Sequence, residues 1–401
     1  MGSLRVAVIG GGIAGLTAAI ALRRNGVPCT VYERGAVPPM AGAGIQLAPN
    51  GTRLLHGLGL AGRLAAVSVR PRTIELRRWS TSAPLRRTRL GAEAERRYGA
   101  PYYTLHRAGL HRALLDAARG IDIRTDRRCV AIVESESTVD IGFADGTSTG
   151  ADVVLAADGI RSVVRAALGD GPARYRGLSV YRGVVPAAAC PWQVASPAVV
   201  VWLGPGAHCV CYPIAGGERV SFVAAVPSTP CGSESWTEPG DPTAMRTAFD
   251  GWHTEVRDLL GAASTVSRWA LHDRPPPRRL CTGRIALLGD AAHPMLPFGA
   301  QGASQAIEDA LVCAAHLRGA SGSCVPAALR RYAAARVDRL ARVAGMVDRH
   351  FDDHHLPDGD GQRQRDAALA AGTGLDSFDW LFGHDALAAA QGHRLAAGGS
   401  I

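Results

Sequence analysis

The sequence predicts an α/β fold: a parallel sheet flanked by helices, an inserted antiparallel β-sheet, and C-terminal helices. Val6 to Ile9 is a short apolar run that suits a buried parallel strand, and a glycine cluster and a helical segment follow it. From about Tyr175 the chain carries short β-type runs separated by glycine and proline, which favours an antiparallel sheet. Arg284 to Leu288 then returns to the buried-strand pattern, so we expect the first part to be discontinuous.

The glycine cluster after the first strand has the spacing of a dinucleotide-binding turn. Gly10, Gly12 and Gly15 stand in G-x-G-x-x-G order, with Ile13 and Ala14 between the last two. The first glycine permits the tight turn, the second lets a pyrophosphate approach the backbone, and the third lets the helix pack close to the sheet. The helix N-terminus offers free N–H groups to the anion. The sequence therefore predicts a Rossmann-type site.

An acid follows the second predicted strand, Cys29 to Tyr32. Glu33 stands where a carboxylate can hold ribose hydroxyls in such folds. The segment from 42 to 50, GAGIQLAPN, is predicted as a glycine-rich loop.

Composition excludes several classes of protein. No run approaches the roughly 18 apolar residues of a membrane helix. The net charge is +9, but the arginines are spread along the chain without interleaved aromatic residues, so we expect no nucleic-acid partner. The nine cysteines are scattered with no C-x-x-C pair, which predicts reduced thiols in the cytoplasm and no metal site.

Two further segments follow predicted strands. Ala157 to Ser162 reads ADGIRS, and Gly289 to Pro294 reads GDAAHP before a helix that begins near Ser304. Because ligands bind at the carboxyl ends of strands in open α/β sheets, we expect both segments to meet the glycine turn at one site.

These segments belong to a longer set that resembles the single-component FAD-dependent aromatic hydroxylases, the p-hydroxybenzoate hydroxylase group, and most closely their salicylate hydroxylase branch. The matching stretches are GGGIAGL at Gly10, YER at Tyr32, GIQLAPN at Gly44, HRAGL at His106, ADGIRSVVR at Ala157, YRGVVP at Tyr181, WALHDRPP at Trp269, GDAAHPMLPFGAQGASQAIEDA at Gly289, HLPDG at His355 and DWLFGHDA at Asp379. The resemblance covers nearly the whole chain.

The resemblance implies a domain plan: a discontinuous FAD-binding domain, an inserted substrate domain and a helical C-terminal region. The predicted limits are 1–72, 98–172 and 278–325 for the FAD-binding domain, 73–97 for a β-hairpin of the substrate domain, 173–277 for its main part, and 326–401 for the C-terminal helices.

The resemblance also implies that FAD is bound non-covalently. Asp290 would bind the ribityl chain, Asp158 would be linked to both FAD and NAD(P)H, and Glu33 with Arg34 would hold the adenosine ribose. The full set of expected cofactor residues is Gly10, Gly12, Ile13, Ala14, Gly15, Glu33, Arg34, Gln46, Arg107, Val130, Asp158, Asp290, Gly299, Gly302 and Ala303.

The implied reaction is ring hydroxylation by way of a flavin hydroperoxide, with O2 as oxidant and NADH or NADPH as transient reductant. The substrate would be a phenolic or N-heteroaromatic compound, with or without a carboxylate, and decarboxylation could accompany hydroxylation. An alternative is a flavoprotein epoxidase or another oxidative tailoring enzyme of a biosynthetic pathway. The resemblance implies a monomer or a homodimer.

Candidate substrate-site residues come from separated segments. His208 and Tyr212 resemble a catalytic pair in which the histidine acts on substrate; the alternative is a histidine satisfied by cross-strand hydrogen bonds. Arg182 is either a carboxylate clamp or part of a structural ion pair. Gln301, Phe298 and Pro297 are expected at the substrate as well.

The sequence departs from some pyridine-hydroxylating relatives, which carry histidines where Gln46 and Phe298 stand. Phe298 instead predicts an apolar wall against a ring. The histidines and aspartates between His350 and His355 are predicted to form a solvated helix end, because adjacent helical positions converge poorly on one metal ion.

Overall fold

The computed structural model describes residues 4–35, 43–169, 171–229, 238–275, 279–372 and 374–391. The strands are β1 Val6–Ile9, β2 Cys29–Tyr32, β3 Gly44–Leu47, β4 Ser68–Val69, β5 Thr73–Arg78, β6 Pro84–Arg89, β7 Tyr103–His106, β8 Asp122–Arg124, β9 Cys129–Glu134, β10 Val139–Phe143, β11 Ser148–Ala151, β12 Val153–Ala156, β13 Arg174–Pro186, β14 Ala198–Gly204, β15 Ala207–Ile214, β16 Arg219–Pro227, β17 Pro239–Gly240, β18 Val266–Asp273 and β19 Ile285–Leu287.

The α-helices are α1 Ile13–Arg24, α2 Pro49–Gly57, α3 Ala61–Val67, α4 Gly91–Tyr98, α5 Arg107–Ala117, α6 Val163–Ala167, α7 Pro191–Ala195, α8 Pro242–Thr247, α9 Thr254–Gly261, α10 Gly302–Leu317, α11 Val325–His354, α12 Asp360–Ala371 and α13 Asp379–Phe382. Short 3-10 helices cover Ala187–Ala189, Ala215–Gly217, Gly289–Ala291, Gly322–Cys324 and Asp376–Phe378.

A parallel sheet forms the first half of the molecule, as the sequence predicts. Its strand order is β19-β12-β1-β2-β8, and Val8 pairs with both Leu155 and Val31. All four residues of β1 are buried, which explains why this strand has no polar alternation. The neighbouring strands β1, β12 and β19 of this sheet come from distant stretches of the chain.

Two buried helices, α1 and α10, pack beside this sheet. α1 is buried continuously from Ala14 to Leu22, and α10 is buried along nearly its whole length. The apolar residues of α1 surround the helix on all sides, which suits a buried helix, whereas α10 also buries Glu308 and Asp309. The two helices contact each other, and both begin beside the ends of the parallel strands.

An eight-stranded sheet forms the second half, in the order β17-β18-β13-β16-β15-β14-β5-β6. Most of its pairs are antiparallel, as expected, but β5 and β14 are parallel, with Leu76 beside Val201. β5 forms a hairpin with β6 and is far from β14 in the sequence. No tight turn joins β5 to β14, so the two strands are free to pair in the parallel direction.

The two faces of this sheet have different surroundings. Cys209 and Cys211 point into a core with Met245 and Phe249, beneath α8 and α9. The alternate residues of β15 point the other way, toward the parallel sheet. The second face is therefore available as the wall of a cavity.

The predicted loop at 42–50 is wrong over most of its described part. Gly44 to Leu47 forms β3, which pairs with β7, and α2 begins at Pro49. A Cβ on Gly44 would stand 2.5 Å from a ring carbon of Tyr212, so glycine lets this strand approach the large sheet closely.

The predicted domain limits remain predictions. The limit at 277/278 and residues 392–401 lie outside the described residues. Within the described ranges, no helix is both long enough and apolar enough to cross a membrane.

Candidate active site

A cavity of about 1690 Å³ lies between the carboxyl ends of the parallel strands and the open face of the eight-stranded sheet. The glycine turn after β1 lines one end, and side chains of β13, β15 and β16 line the other. The location agrees with the rule that open α/β sheets bind ligands at the carboxyl edge of their strands.

The glycine turn is built as the spacing predicts. Gly10 has φ +103°, and a Cβ there would lie 2.3 Å from the carbonyl oxygen of Ala157. A Cβ on Gly15 would lie 1.9 Å from the carbonyl oxygen of Gly10, so this glycine lets α1 pack against the strand. Gly12, by contrast, faces open space with nothing within 4 Å of its missing Cβ. A phosphate could approach the backbone there.

Glu33 stands directly after β2 and contacts the turn. Its Oε2 accepts a hydrogen bond from the Gly11 N–H at 2.6 Å, and its Oε1 accepts one from the Gly35 N–H at 3.1 Å. Arg34 and Arg128 line the same end of the cavity. This end therefore combines backbone N–H groups, an acid and basic side chains, a set suited to a nucleotide.

Asp158 follows β12 and caps α6. Its Oδ2 accepts from the Val163 N–H at 2.8 Å. Its Oδ1 is buried and has no hydrogen-bond partner in the part of the chain that the structure describes. Burial raises the pKa of this carboxyl. A buried acceptor of this kind suits a ligand that donates hydrogen bonds.

Asp290 lines the cavity from the short turn after β19. Burial raises the pKa of its carboxyl, against the opposing effects of His293 and Arg107. The turn is held from behind by Asp309 of α10, which accepts from the Gly289 N–H at 2.9 Å and from His293 Nε2 at 2.5 Å.

A buried ionic network supports that turn. Arg336 of α11 donates from Nε to Asp309 Oδ1 at 2.7 Å and from Nη1 to Glu308 Oε2 at 2.6 Å, and all three side chains have no solvent exposure. Burial alone would raise the pKa of Asp309, but His293 and Arg336 lower it to about 2. The network fixes α10 and α11 relative to the turn that carries Asp290.

The segment before α10 passes along the cavity. Pro297, Phe298 and Gly299 of this segment line the cavity, as do Gly302 and Ala303 at the start of α10. Other elements contribute Ile13, Ala14, Gln46 and Arg107 to the same lining. The first N–H groups of α10 have no partners within the helix, and the N-terminus carries a partial positive charge.

Three expected site residues do not line the cavity. Gly15 lies inside the helix–strand contact described above. Val130 of β9 is 47% exposed, and its neighbour Cys129 lines the cavity instead. Gln301 turns toward the buried network, where its Oε1 accepts from Asn50 at 3.1 Å, so the structure does not bring it to the substrate end.

At the other end of the cavity, the register of the large sheet brings the substrate-site candidates together. Arg182 lies in the row that runs through Val223 to Val210. His208 and Tyr212 lie two positions to either side of Val210 on the same face of β15. The row of the sheet that contains Arg182 therefore lies between the row of His208 and the row of Tyr212.

Arg182 and Tyr212 are held by different contacts. The guanidinium of Arg182 lies 3.9 Å from the ring centroid of Trp269, and burial lowers its pKa to about 10. Burial raises the pKa of Tyr212, against the opposing effects of Arg182, Ser221 and Gln46. At neutral pH the arginine is charged and the tyrosine is protonated.

His208 is only 2% exposed and lies edge-on to Phe298, with 4.9 Å between the ring centroids. Its Nδ1 lies 2.8 Å from Nε2 of His355, which follows α11. Burial, with a smaller contribution from His355, places the pKa of His208 well below its usual value. The bond goes to a histidine that follows α11 rather than across strands within the sheet.

The prediction of a solvated helix end at His350 to His355 is wrong for the histidines. His350 and His354 line the cavity and stack with 5.2 Å between their centroids, because positions four apart share one helix face. Asp352 and Asp353 are exposed. Among the described residues, no group of three or more histidine, cysteine or acidic side chains is arranged to hold a metal ion.

The sequence reasoning did not select Trp269, His354, His355 or Arg219 for the site. Trp269, His354 and Arg219 line the cavity directly. Alternation along β18 could have indicated that Trp269 points inward with Leu271. The position of His355 depends on how α11 packs, which no local pattern reveals.

The residues present fit FAD on the structure's own terms. The open glycine turn at the start of α1 can receive a pyrophosphate, and the unpartnered Asp158 Oδ1 and the Asp290 carboxyl can accept from hydroxyl groups. Further along, the N-terminus of α10 would meet the flavin ring.

A Rossmann-type sheet with this cavity defines a flavin-nucleotide-binding protein. The family model described as "FAD binding domain" matches residues 3–350, and the chain belongs to that family. The chain is an FAD-dependent monooxygenase of the group expected from its sequence.

Comparisons with known proteins agree. The chain is 48% identical over 383 residues to the 3-amino-4-hydroxybenzoate 2-monooxygenase PtnB3 of Streptomyces platensis, covering 95% of this chain and 96% of that protein. HpxO of Klebsiella pneumoniae, solved with FAD and uric acid, is 30% identical with a TM-score of 0.82 over 94% of this chain and 95% of that one. A salicylate hydroxylase substrate complex is 28% identical with a TM-score of 0.83, covering 98% of both chains.

Proposed function

We propose that this protein hydroxylates the ring of an amino- or hydroxy-substituted benzoate, with 3-amino-4-hydroxybenzoate as the first candidate. The observation that carries the proposal is Arg182, a buried cation that lines the same cavity as His208 and Tyr212 and lies near apolar side chains. The relative at 48% identity is named for this substrate, which carries a carboxylate and a phenol.

The carboxylate would bind Arg182. Burial lowers the pKa of this arginine to about 10, which leaves it charged at neutral pH. A planar guanidinium can bind a carboxylate through two parallel hydrogen bonds, which fixes the orientation of the ring as well as its position. The Trp269 ring holds the guanidinium from one side.

The ring would lie against apolar side chains. Phe298, Leu203 and Val223 line the chamber, and an apolar chamber excludes water from the reacting centre. Bound FAD supplies the chemistry, because its reduced ring activates dioxygen and delivers one oxygen atom to the substrate.

His208 would act as the general base toward the phenolic hydroxyl. Its low pKa keeps the imidazole neutral and able to accept a proton at neutral pH. Loss of that proton makes the ring more electron-rich and therefore more reactive toward an electrophilic oxygen. Tyr212, whose pKa burial raises, stays protonated and would donate a hydrogen bond to substrate or close the chamber.

NADH or NADPH is the proposed transient reductant. The basic residues at the glycine-turn end, Arg34 and Arg128, favour anionic nucleotides. We also propose a cytoplasmic location, supported by eight described cysteines that are all free thiols, and a monomer or homodimer as the working unit.

The test uses purified, FAD-loaded protein with NADH or NADPH and 18O-labelled dioxygen. With 3-amino-4-hydroxybenzoate we expect faster coenzyme oxidation and a product that has gained one labelled oxygen atom. Analogues that lack the carboxylate or the hydroxyl should react more slowly. Coenzyme oxidation with no labelled product from any benzoate in the panel would overturn the proposal.

A further inference from the structure

A chain of hydrogen bonds connects His208 to the end of α11. His208 Nδ1 lies 2.8 Å from His355 Nε2, and His355 Nδ1 lies 2.6 Å from the carbonyl oxygen of Phe351. The backbone of His355 is also anchored, because its carbonyl oxygen accepts from the Gly206 N–H at 3.0 Å, in the turn between β14 and β15. The helix end and the sheet therefore hold the two rings in a fixed relation.

The carbonyl group at the end of this chain determines where the protons are. A carbonyl oxygen can only accept a hydrogen bond, so His355 Nδ1 must carry a hydrogen. Burial lowers the pKa of both histidines, and each neutral ring carries one N–H. His355 Nε2 is then an acceptor, so the hydrogen of the 2.8 Å contact belongs to His208 Nδ1. The unprotonated nitrogen of His208 is Nε2.

We propose that His355 is a positioning residue that holds His208 in the Nδ1–H tautomer and leaves Nε2 free to take a proton from bound substrate. The partner of one ring nitrogen sets the tautomer of an imidazole, so a fixed acceptor at Nδ1 selects this form. His355 itself does not touch the reacting atoms.

The proton transfer balances in this arrangement. The substrate O–H bond breaks, an Nε2–H bond forms on His208, and the electron pair stays on the phenolate oxygen. The positive charge then rests on an imidazolium whose Nδ1–H still donates to His355 Nε2. His355 keeps its own hydrogen on the Phe351 carbonyl and stays neutral.

Other groups pack around the pair without replacing this bond. The His354 ring lies 5.5 Å from the His208 ring, and burial keeps the pKa of His354 well below its usual value. Asp352, on the exposed side of the helix end, raises the pKa of His355 but less than burial lowers it. Phe298 covers the edge of His208 with an apolar ring.

The first test reads the tautomer directly and needs no turnover. Holoenzyme labelled with 15N-histidine is measured by two-bond proton–nitrogen correlation, and the His208 signals are assigned by their loss in His208→Asn. We expect a protonated Nδ1 and an unprotonated Nε2 in the unaltered protein. A protonated Nε2 on His208 would overturn the proposal.

Variants then test the part of His355. His355→Phe should shift His208 toward the Nε2–H form and lower kcat by about 10²-fold with little change in KM. His355→Gln, whose amide oxygen can accept from Nδ1, should restore the original tautomer and most of kcat. His354→Phe is the matched control and should leave the tautomer unchanged. An unchanged tautomer and kcat in His355→Phe would refute the role.

The kinetic part of this inference rests on the proposed hydroxylation, whereas the tautomer does not. If no benzoate is hydroxylated but the spectra show the Nδ1–H form, the proposed function fails and the positioning role stands. If hydroxylation occurs and the spectra show the Nε2–H form, the positioning role fails alone.

Discussion

Replacing Arg182 by methionine tests how the protein selects a substrate with a carboxylate. Methionine keeps much of the length and apolar character of the stem while removing the charge and all guanidinium donors. The guanidinium lies over Trp269 in a row of the sheet that faces the cavity, so methionine can occupy the same space without disturbing a strand contact.

The expected size of the effect follows from the partial burial of the ion pair between Arg182 and the substrate carboxylate. Truncating one partner of a buried, hydrogen-bonded charge pair costs about 2–5 kcal/mol, and each 1.4 kcal/mol is tenfold. We therefore expect kcat/KM for the aromatic acid to fall between about 30-fold and a few thousand-fold. Because Arg182 keeps some exposure to the cavity, we expect the lower part of that range.

The assay compares two substrates in two proteins: the benzoate and its analogue without the carboxylate, each with the unaltered protein and with Arg182→Met. The loss should be confined to the acid, and the two proteins should differ little on the analogue. Arg182→Lys should show an intermediate loss, because lysine keeps the charge but not the fork of donors. An equal loss for both substrates would refute the carboxylate role.

The remaining predictions concern the cofactor turn and the buried network. Gly15→Ala should prevent stable folding, because the new Cβ would overlap the Gly10 carbonyl. Gly12→Ala should fold but bind FAD weakly, which the flavin absorbance per protein would show. Normal FAD content in both variants would contradict this prediction. Arg336→Met should lower the urea-derived free energy of unfolding by about 3–5 kcal/mol, while Arg363→Met, in an exposed pair, should change it little. The pKa of Asp309 is about 2 in the folded protein, against an ordinary value of 3.8, so its ionised form stabilises the protein above pH 4. That contribution should fade between pH 4 and pH 2, and the stability of Asp309→Asn should therefore decline less steeply in this range. Parallel curves of stability against pH for the two proteins would count against the low pKa of Asp309.

Local chemistry made much of the nucleotide half predictable from the sequence. The strand, glycines and acid at Gly10 to Glu33 each have a reason that acts over a few residues, so spacing alone predicts their geometry. The four-residue strand β2 was bounded correctly because its apolar run stops at an acid.

The substrate end depended on long-range packing and was less predictable. His355 is 147 positions from His208, and they meet because α11 ends against the turn between β14 and β15. A hydrophobic pattern predicts that a helix packs against the protein, but it does not say which neighbour the helix packs against. Gln301 was misplaced for the same reason, since its partner Asn50 belongs to a helix far away in the chain.

The order of the parallel sheet also has a consequence for biosynthesis. β1 leaves the ribosome early, but it lies beside β12, which in turn pairs with β19 near the last third of the polypeptide. At about 5–20 residues per second, β19 emerges from the ribosome roughly 15 to 55 s after β1. During that interval the apolar residues of β1 have no completed sheet to join, so the nascent chain exposes them until β19 has emerged.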